Sequence, residues 1–115
     1  MKICIPATSA DPESAIDPRF GRCSYIFTVE PDAMEFGSMP NPNIAARGGA
    51  GIETARTVAK IGADVVITCE LGPNAYEALK AIGIRTYMAP DVMSCRKAVE
   101  KFKTEELDEF IVPLR

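Results

Sequence analysis

The chain contains no histidine. That removes the usual general base near neutral pH, the commonest zinc ligand and the Cys-His nucleophile pair, so most hydrolase and metalloenzyme readings lose their tools. Its four cysteines, Cys4, Cys23, Cys69 and Cys95, include no C-x-x-C pair, which leaves neither a zinc-ligand spacing nor a dithiol redox motif. No apolar run approaches the roughly twenty residues of a membrane span, and residues 1–6 are too short for a signal peptide. The expectation is a soluble, cytoplasmic protein with no membrane partner. A P-loop is missing, and the one glycine-rich string has Thr54 where G-x-G-x-x-G needs its third glycine. Nor is there a basic excess: the net charge of −3 argues against a nucleic-acid partner.

What is present describes an ordinary globular domain. A hydrophobic share of 47% in 115 residues suffices for one core without metal or disulfide support, so residues 1–115 read as a single domain. Residues 2–6 form a short apolar strand ending at Pro6. A loop with Asp11-Pro12 and Asp17-Pro18 as turn markers follows. Residues 24–30 alternate, with Tyr25, Phe27 and Val29 on one face, and residues 34–39 return as a weaker strand after Pro31-Asp32. The rhythm then changes. Ile52, Ala55, Val58 and Ala59 share a helical face that Gly62 stops. Val65-Val66-Ile67 is a strand buried on both faces, and Pro73 opens a helix that Gly83 closes. Residues 84–88 read as an edge strand, Asp91 as the cap of a last helix with Val92, Cys95, Val99 and Phe102 inward, and residues 105–109 as a solvated acidic tail.

The order β-β-β-α-β-α-β-α predicts an α/β fold. Meander strands followed by right-handed crossovers give a mixed five-stranded sheet of order 3-2-1-4-5, with strand 2 antiparallel and helices on both faces. The chain leaves strands 1 and 4 toward opposite sides, so a switch-point crevice is expected between their carboxyl ends. Loops 7–22, 40–50 and 69–74 should meet there, with Cys23 starting strand 2 at the same edge.

Within that crevice falls the most informative string, R-G-G-A-G-I-E-T-A-R from Arg47 to Arg56. Glycines let backbone approach a ligand, and the first turn of the following helix offers free N–H groups at the positive end of its dipole. Its natural occupant is an anion. The plainer reading is a loop closing before a helix.

Three strings in register, D-P-R-F-G-R-C-S-Y-I-F from Asp17, G-G-A-G-I-E-T-A from Gly48 and L-G-P-N-A-Y-E-A-L-K-A-I-G-I from Leu71, carry a family resemblance. Together they resemble the dinitrogenase iron-molybdenum cofactor biosynthesis family over nearly the whole chain. The resemblance implies a ribonuclease-H-like fold and a non-catalytic carrier or assembly accessory for an iron-sulfur or iron-molybdenum type cofactor or its precursor. That cofactor would be bound transiently, and its donor and recipient proteins would be the partners. The resemblance also implies a cofactor-facing edge at Arg19, Phe20, Gly21, Arg22, Gly48, Gly49, Gly51, Gly72 and Asn74, beside Pro73. The chain departs from the family pattern at Cys69, a thiol where a small residue is common, and in its lack of histidine. The alternative, from another class, is a regulatory or interaction domain binding a small anion on the glycine-rich turn.

Thiolates are the usual anchors of iron-sulfur clusters, so Cys23 and Cys69, at the predicted crevice, are the candidate metal ligands. Each has a competing reading as packing, because free cysteine is among the most buried residue types. Cys4 and Cys95 read as core. Arg19 and Arg22 suit an anionic cluster or phosphate, against the reading of solvated loop arginines. Asn74 is either a ligand contact or a backbone partner at a helix start. An enzyme is not expected. A ribonuclease-H-like nuclease needs paired carboxylates for two metal ions, and strand 1 has none, with only Glu70 near the second position.

Overall fold

A computed structural model describes residues 1–111. Its elements are β1 (Ile3–Ala7), β2 (Tyr25–Glu30), β3 (Glu35–Pro40), α1 (Ala50–Ile61), β4 (Val65–Thr68), α2 (Pro73–Ile82), β5 (Arg85–Met88), α3 (Cys95–Lys103) and β6 (Asp108–Glu109). They form one mixed sheet of order β3-β2-β1-β4-β5-β6. β1 pairs in parallel with β4 and antiparallel with β2, and β4 pairs in parallel with β5, as the connectivity predicts.

Period-two alternation divides the core. Ile3, Ile5, Phe27, Val29, Val65 and Ile67 project to the face covered by α3, where Cys95, Ala98 and Val99 meet them. Cys4, Ile26 and Val66 project to the other face, under Ala55 and Val58 of α1 and Ala75 and Leu79 of α2. Both faces are therefore covered. Cys4 and Cys95 are buried packing residues, as their positions predict. Met34 and Met93 pack on the first core and Met39 on the second. No described helix is long and apolar enough to cross a membrane.

Three expectations need correction. The sheet has six strands rather than five, because Asp108 and Glu109 pair antiparallel with Met88 and Tyr87. β5 is therefore not an edge, and these two acidic residues are not a solvated tail. The Arg85–Glu109 ion pair at 2.7 Å and the edge-on contact of Phe110 with Tyr76 hold the added strand. Third, α3 begins at Cys95, capped by Ser94, whose hydroxyl accepts from the Lys97 N–H at 3.1 Å. Asp91 does not cap it and Val92 is exposed. The start is set by the loop after β1: the Cys95 N–H donates to the Ser14 carbonyl and the Ile16 N–H to the Met93 carbonyl. Ile16, with 0% exposure, is the anchor of that loop.

Candidate functional site

At the carboxyl ends of β1 and β4, three segments enclose an open cleft of about 460 Å³. Loop 18–22 forms one wall, residues 49–52 at the start of α1 a second, and residues 70–75 at the start of α2 a third. These are the loops that the strand order predicts to meet.

Two helix N-termini converge there. Neither α1 nor α2 has a side-chain cap, in contrast to Ser94 on α3. The first intrahelical bonds are Glu53 N–H to the Gly49 carbonyl and Tyr76 N–H to the Gly72 carbonyl. The amides of Ala50, Gly51 and Ile52, and of Asn74 and Ala75, therefore precede the helical ladder and lack intrahelical acceptors. Pro73 has no amide to offer, which makes it suited to that position. Aligned dipoles place partial positive charge at both ends, and Arg19 and Arg22 add two full charges to the same wall. The carboxylate lining the cleft is the exposed Glu70.

Close backbone approach makes this convergence possible. A Cβ on Gly21 would lie 2.6 Å from the Gly51 nitrogen and 2.8 Å from its Cα, so loop 18–22 rests directly on the first turn of α1. A Cβ on Gly51 would stand 3.1 Å from Ala75 Cβ, which keeps the two helix starts together. Gly49 adopts φ +68°, a left-handed turn into α1 that favours glycine. Gly72, at φ −72° with open space beyond, is required by neither conformation nor crowding; its effect is to leave the cleft open.

The sequence-predicted residues separate into two groups. Arg19, Phe20, Gly21, Arg22, Gly49, Gly51, Gly72 and Asn74 all line the cleft, Phe20 as part of the second core beneath it. Gly48 is exposed and does not line it, and neither predicted thiol does. Cys23 has 0% exposure and packs into the second core. Burial pushes its thiol up to about 12, with the Asp17 charge adding and the Asn41 amide opposing. Cys69 is half-buried at the end of β4, on the side of the α3 core. Desolvation first, then the neighbouring Glu70, raises its pKa as well. Among the described residues, no group of three or more Cys, Asp, Glu or His side chains is arranged to hold a metal ion.

Three residues outside the predicted set organise the walls. Asn41, only 4% exposed, donates to the carbonyls of Gly21 and Cys23, both at 3.1 Å, and its Oδ1 accepts from the Asn43 N–H at 3.0 Å. Thr54, fully buried on α1, donates its hydroxyl to the Gly21 carbonyl at 3.0 Å. The residue that spoils the dinucleotide fingerprint is thus the one that clamps loop 18–22 to α1. Asp17 fixes the other end of that loop, accepting from the Arg19 N–H at 3.0 Å and from its Nε at 3.3 Å. The hydrogen bond to Asp17, then its charge, raises the Arg19 pKa.

The family described as dinitrogenase iron-molybdenum cofactor matches residues 1–105. The chain belongs to this family. An uncharacterised protein of Methanocaldococcus jannaschii is 31% identical over 96% of this chain and 92% of its own. The apo form of the orange protein from Desulfovibrio gigas superposes with TM-score 0.92 and 30% identity, covering 99% of this chain and 96% of that one. A Thermotoga protein described provisionally as a NifB protein shares the fold, with TM-score 0.83, 24% identity and coverage of 99% and 97%.

Proposed function

We propose that this protein is a non-catalytic carrier or assembly accessory for an iron-sulfur or iron-molybdenum type cofactor or its precursor, taken up and released at the cleft. The observation that carries this reading is the convergence of two uncapped helix N-termini with Arg19 and Arg22 on one opening. Sulfide-bridged metal clusters are commonly anionic, and oriented amides with guanidiniums stabilise negative charge without forming a covalent bond. The side chains present fit such a cargo as an anion. Holding it through hydrogen bonds and charge permits release to a recipient protein, which is what a carrier requires. Thiolate ligation by Cys23 and Cys69 is the competing mode of attachment, and it requires both thiols to leave their packed positions and ionise against desolvation.

Anaerobic reconstitution with iron, sulfide and molybdate tests the reading. The expected product is charge-transfer absorbance that co-elutes with the protein. Losing one charge-assisted contact, worth about 1.5–3 kcal/mol, should lower retention about ten-fold or more in Arg19→Ala or Arg22→Ala. Cys23→Ser and Cys69→Ser should retain the absorbance. Its loss in the serine variants alone would assign the cluster to thiolates. The same walls also suit a smaller anion, which favours the second reading, a regulatory or interaction domain. In that case no cluster forms, and phosphate compounds stabilise the protein against heat in wild type and in both serine variants.

A further inference from the structure

Asp17 is out of keeping with the wall it supports. It is a carboxylate with 2% exposure, set behind a surface whose charged side chains are Arg19, Arg22 and the exposed Glu70. A buried carboxylate requires donors, and this one has three from a single residue: the Arg19 backbone N–H at 3.0 Å, Nε at 3.3 Å and Nη2 at 3.4 Å. Its own N–H donates to the Pro6 carbonyl at 2.9 Å, which ties it to the carboxyl end of β1. A guanidinium has two edges suited to bidentate contact, a side edge of Nε with one Nη and an end edge of the two Nη groups. Asp17 takes the side edge. No described residue accepts from Nη1, and the Arg19 side chain, 66% exposed, lines the cleft. Arg22 is held differently, its Nη1 donating to the Ile44 carbonyl at 3.1 Å.

We propose that Asp17 is a positioning residue: by gripping the side edge of Arg19 it presents the end edge to the cleft, where it receives an anion with two adjacent acceptor atoms. The inference rests on the cleft reading above and deepens it by naming how the ligand is held, through two adjacent acceptor atoms of one anionic group, as molybdate and inorganic phosphate both present. It also separates two roles that predict opposite signs. As background charge, Asp17 repels an anion, and its removal should tighten binding. As the holder of Arg19, its removal should loosen binding although a negative charge has gone.

The test uses the full chain as wild type, Asp17→Asn, Arg19→Lys and the double variant, titrated calorimetrically with molybdate and with inorganic phosphate, with thermal unfolding followed on the same samples. Asp17→Asn should weaken molybdate binding about ten-fold, the scale of one bidentate charge-assisted contact. Arg19→Lys should do the same, because an ammonium cannot be gripped along an edge. The double variant should be no weaker than either single variant. Unchanged or tighter binding in Asp17→Asn, or losses that multiply, would overturn the positioning role. If Asp17→Asn does not fold, the Arg19 Nε–H resonance of the wild type decides. It should be protected from exchange in the free protein and remain so at molybdate saturation; rapid exchange in either state overturns the role. A wild type that binds neither anion overturns the cleft reading, and this inference with it.

Discussion

The four thiols differ in what their surroundings allow. Burial pushes Cys4, Cys23 and Cys95 up to about 12 from an ordinary 9.0. Between those values the unfolded chain releases thiol protons that the folded chain keeps, so stability must fall as pH rises. The slope approaches about 1.4 kcal/mol per pH unit for each such thiol inside that window and fades away below pH 9. Denaturant titrations at neutral pH and inside that window should show the decline. Native alkylation with iodoacetamide at neutral pH should label Cys69 first, the half-buried one, and mass mapping that finds Cys23 labelled first would contradict the packing. The glycines separate as clearly. Gly49→Ala meets open space but strains φ, costing about 1 kcal/mol. Gly21→Ala drives a methyl into the α1 backbone, costing about 1–3 kcal/mol and moving the cleft wall as well. Urea unfolding orders the two. Cys4 was legible from its place in a strand covered on both faces, and Cys95 from the apolar stripe of the last helix. The direction of Cys23 was not, because a residue just outside a strand carries no facing rule, and Asn41 was hidden because a polar residue between two prolines reads as a turn.

At the scale of elements, the helices show what capping does. Ser94→Ala should destabilise the protein by about 1 kcal/mol, since it removes the acceptor for the Lys97 N–H. No such variant exists for α1 or α2, whose starts face the cleft without side-chain caps. Thr54→Val should cost about 1–3 kcal/mol by leaving the half-buried Gly21 carbonyl with one donor fewer, and should loosen loop 18–22 from α1. Equal stability by calorimetry, with unchanged amide shifts in that loop, would contradict the clamp. Helices α1 and α2 were legible to within two residues because Gly62, Pro73 and Gly83 punctuate them. The start of α3 was misread because Asp91 and Ser94 both have cap chemistry, and a contact from distant Ser14 chose between them. β6 escaped because two charged residues have no alternation to read, and pairing arises from Arg85 and Phe110.

For the molecule as a whole, connectivity determined more than composition. The rhythm change near Gly48 gave the order of the first five strands, and that order placed three loops at one edge before any contact was known. Exposed ion pairs such as Arg56–Glu53 contribute little to this framework, so Glu53→Gln should change stability by less than about 1 kcal/mol in thermal unfolding. The central claim is that the paired helix starts and their arginines hold an anionic cofactor. Amide chemical-shift mapping of the full chain during anaerobic loading with iron, sulfide and molybdate tests it most directly. The expected result is a single cluster of shifted or broadened amides at Arg19–Arg22, Gly49–Ile52 and Asn74–Ala75, with the core amides near Cys4 and Cys95 unmoved. Changes centred instead on the α3 face of the sheet, around Pro31, Tyr87 and Leu107, with the cleft amides silent, would contradict it.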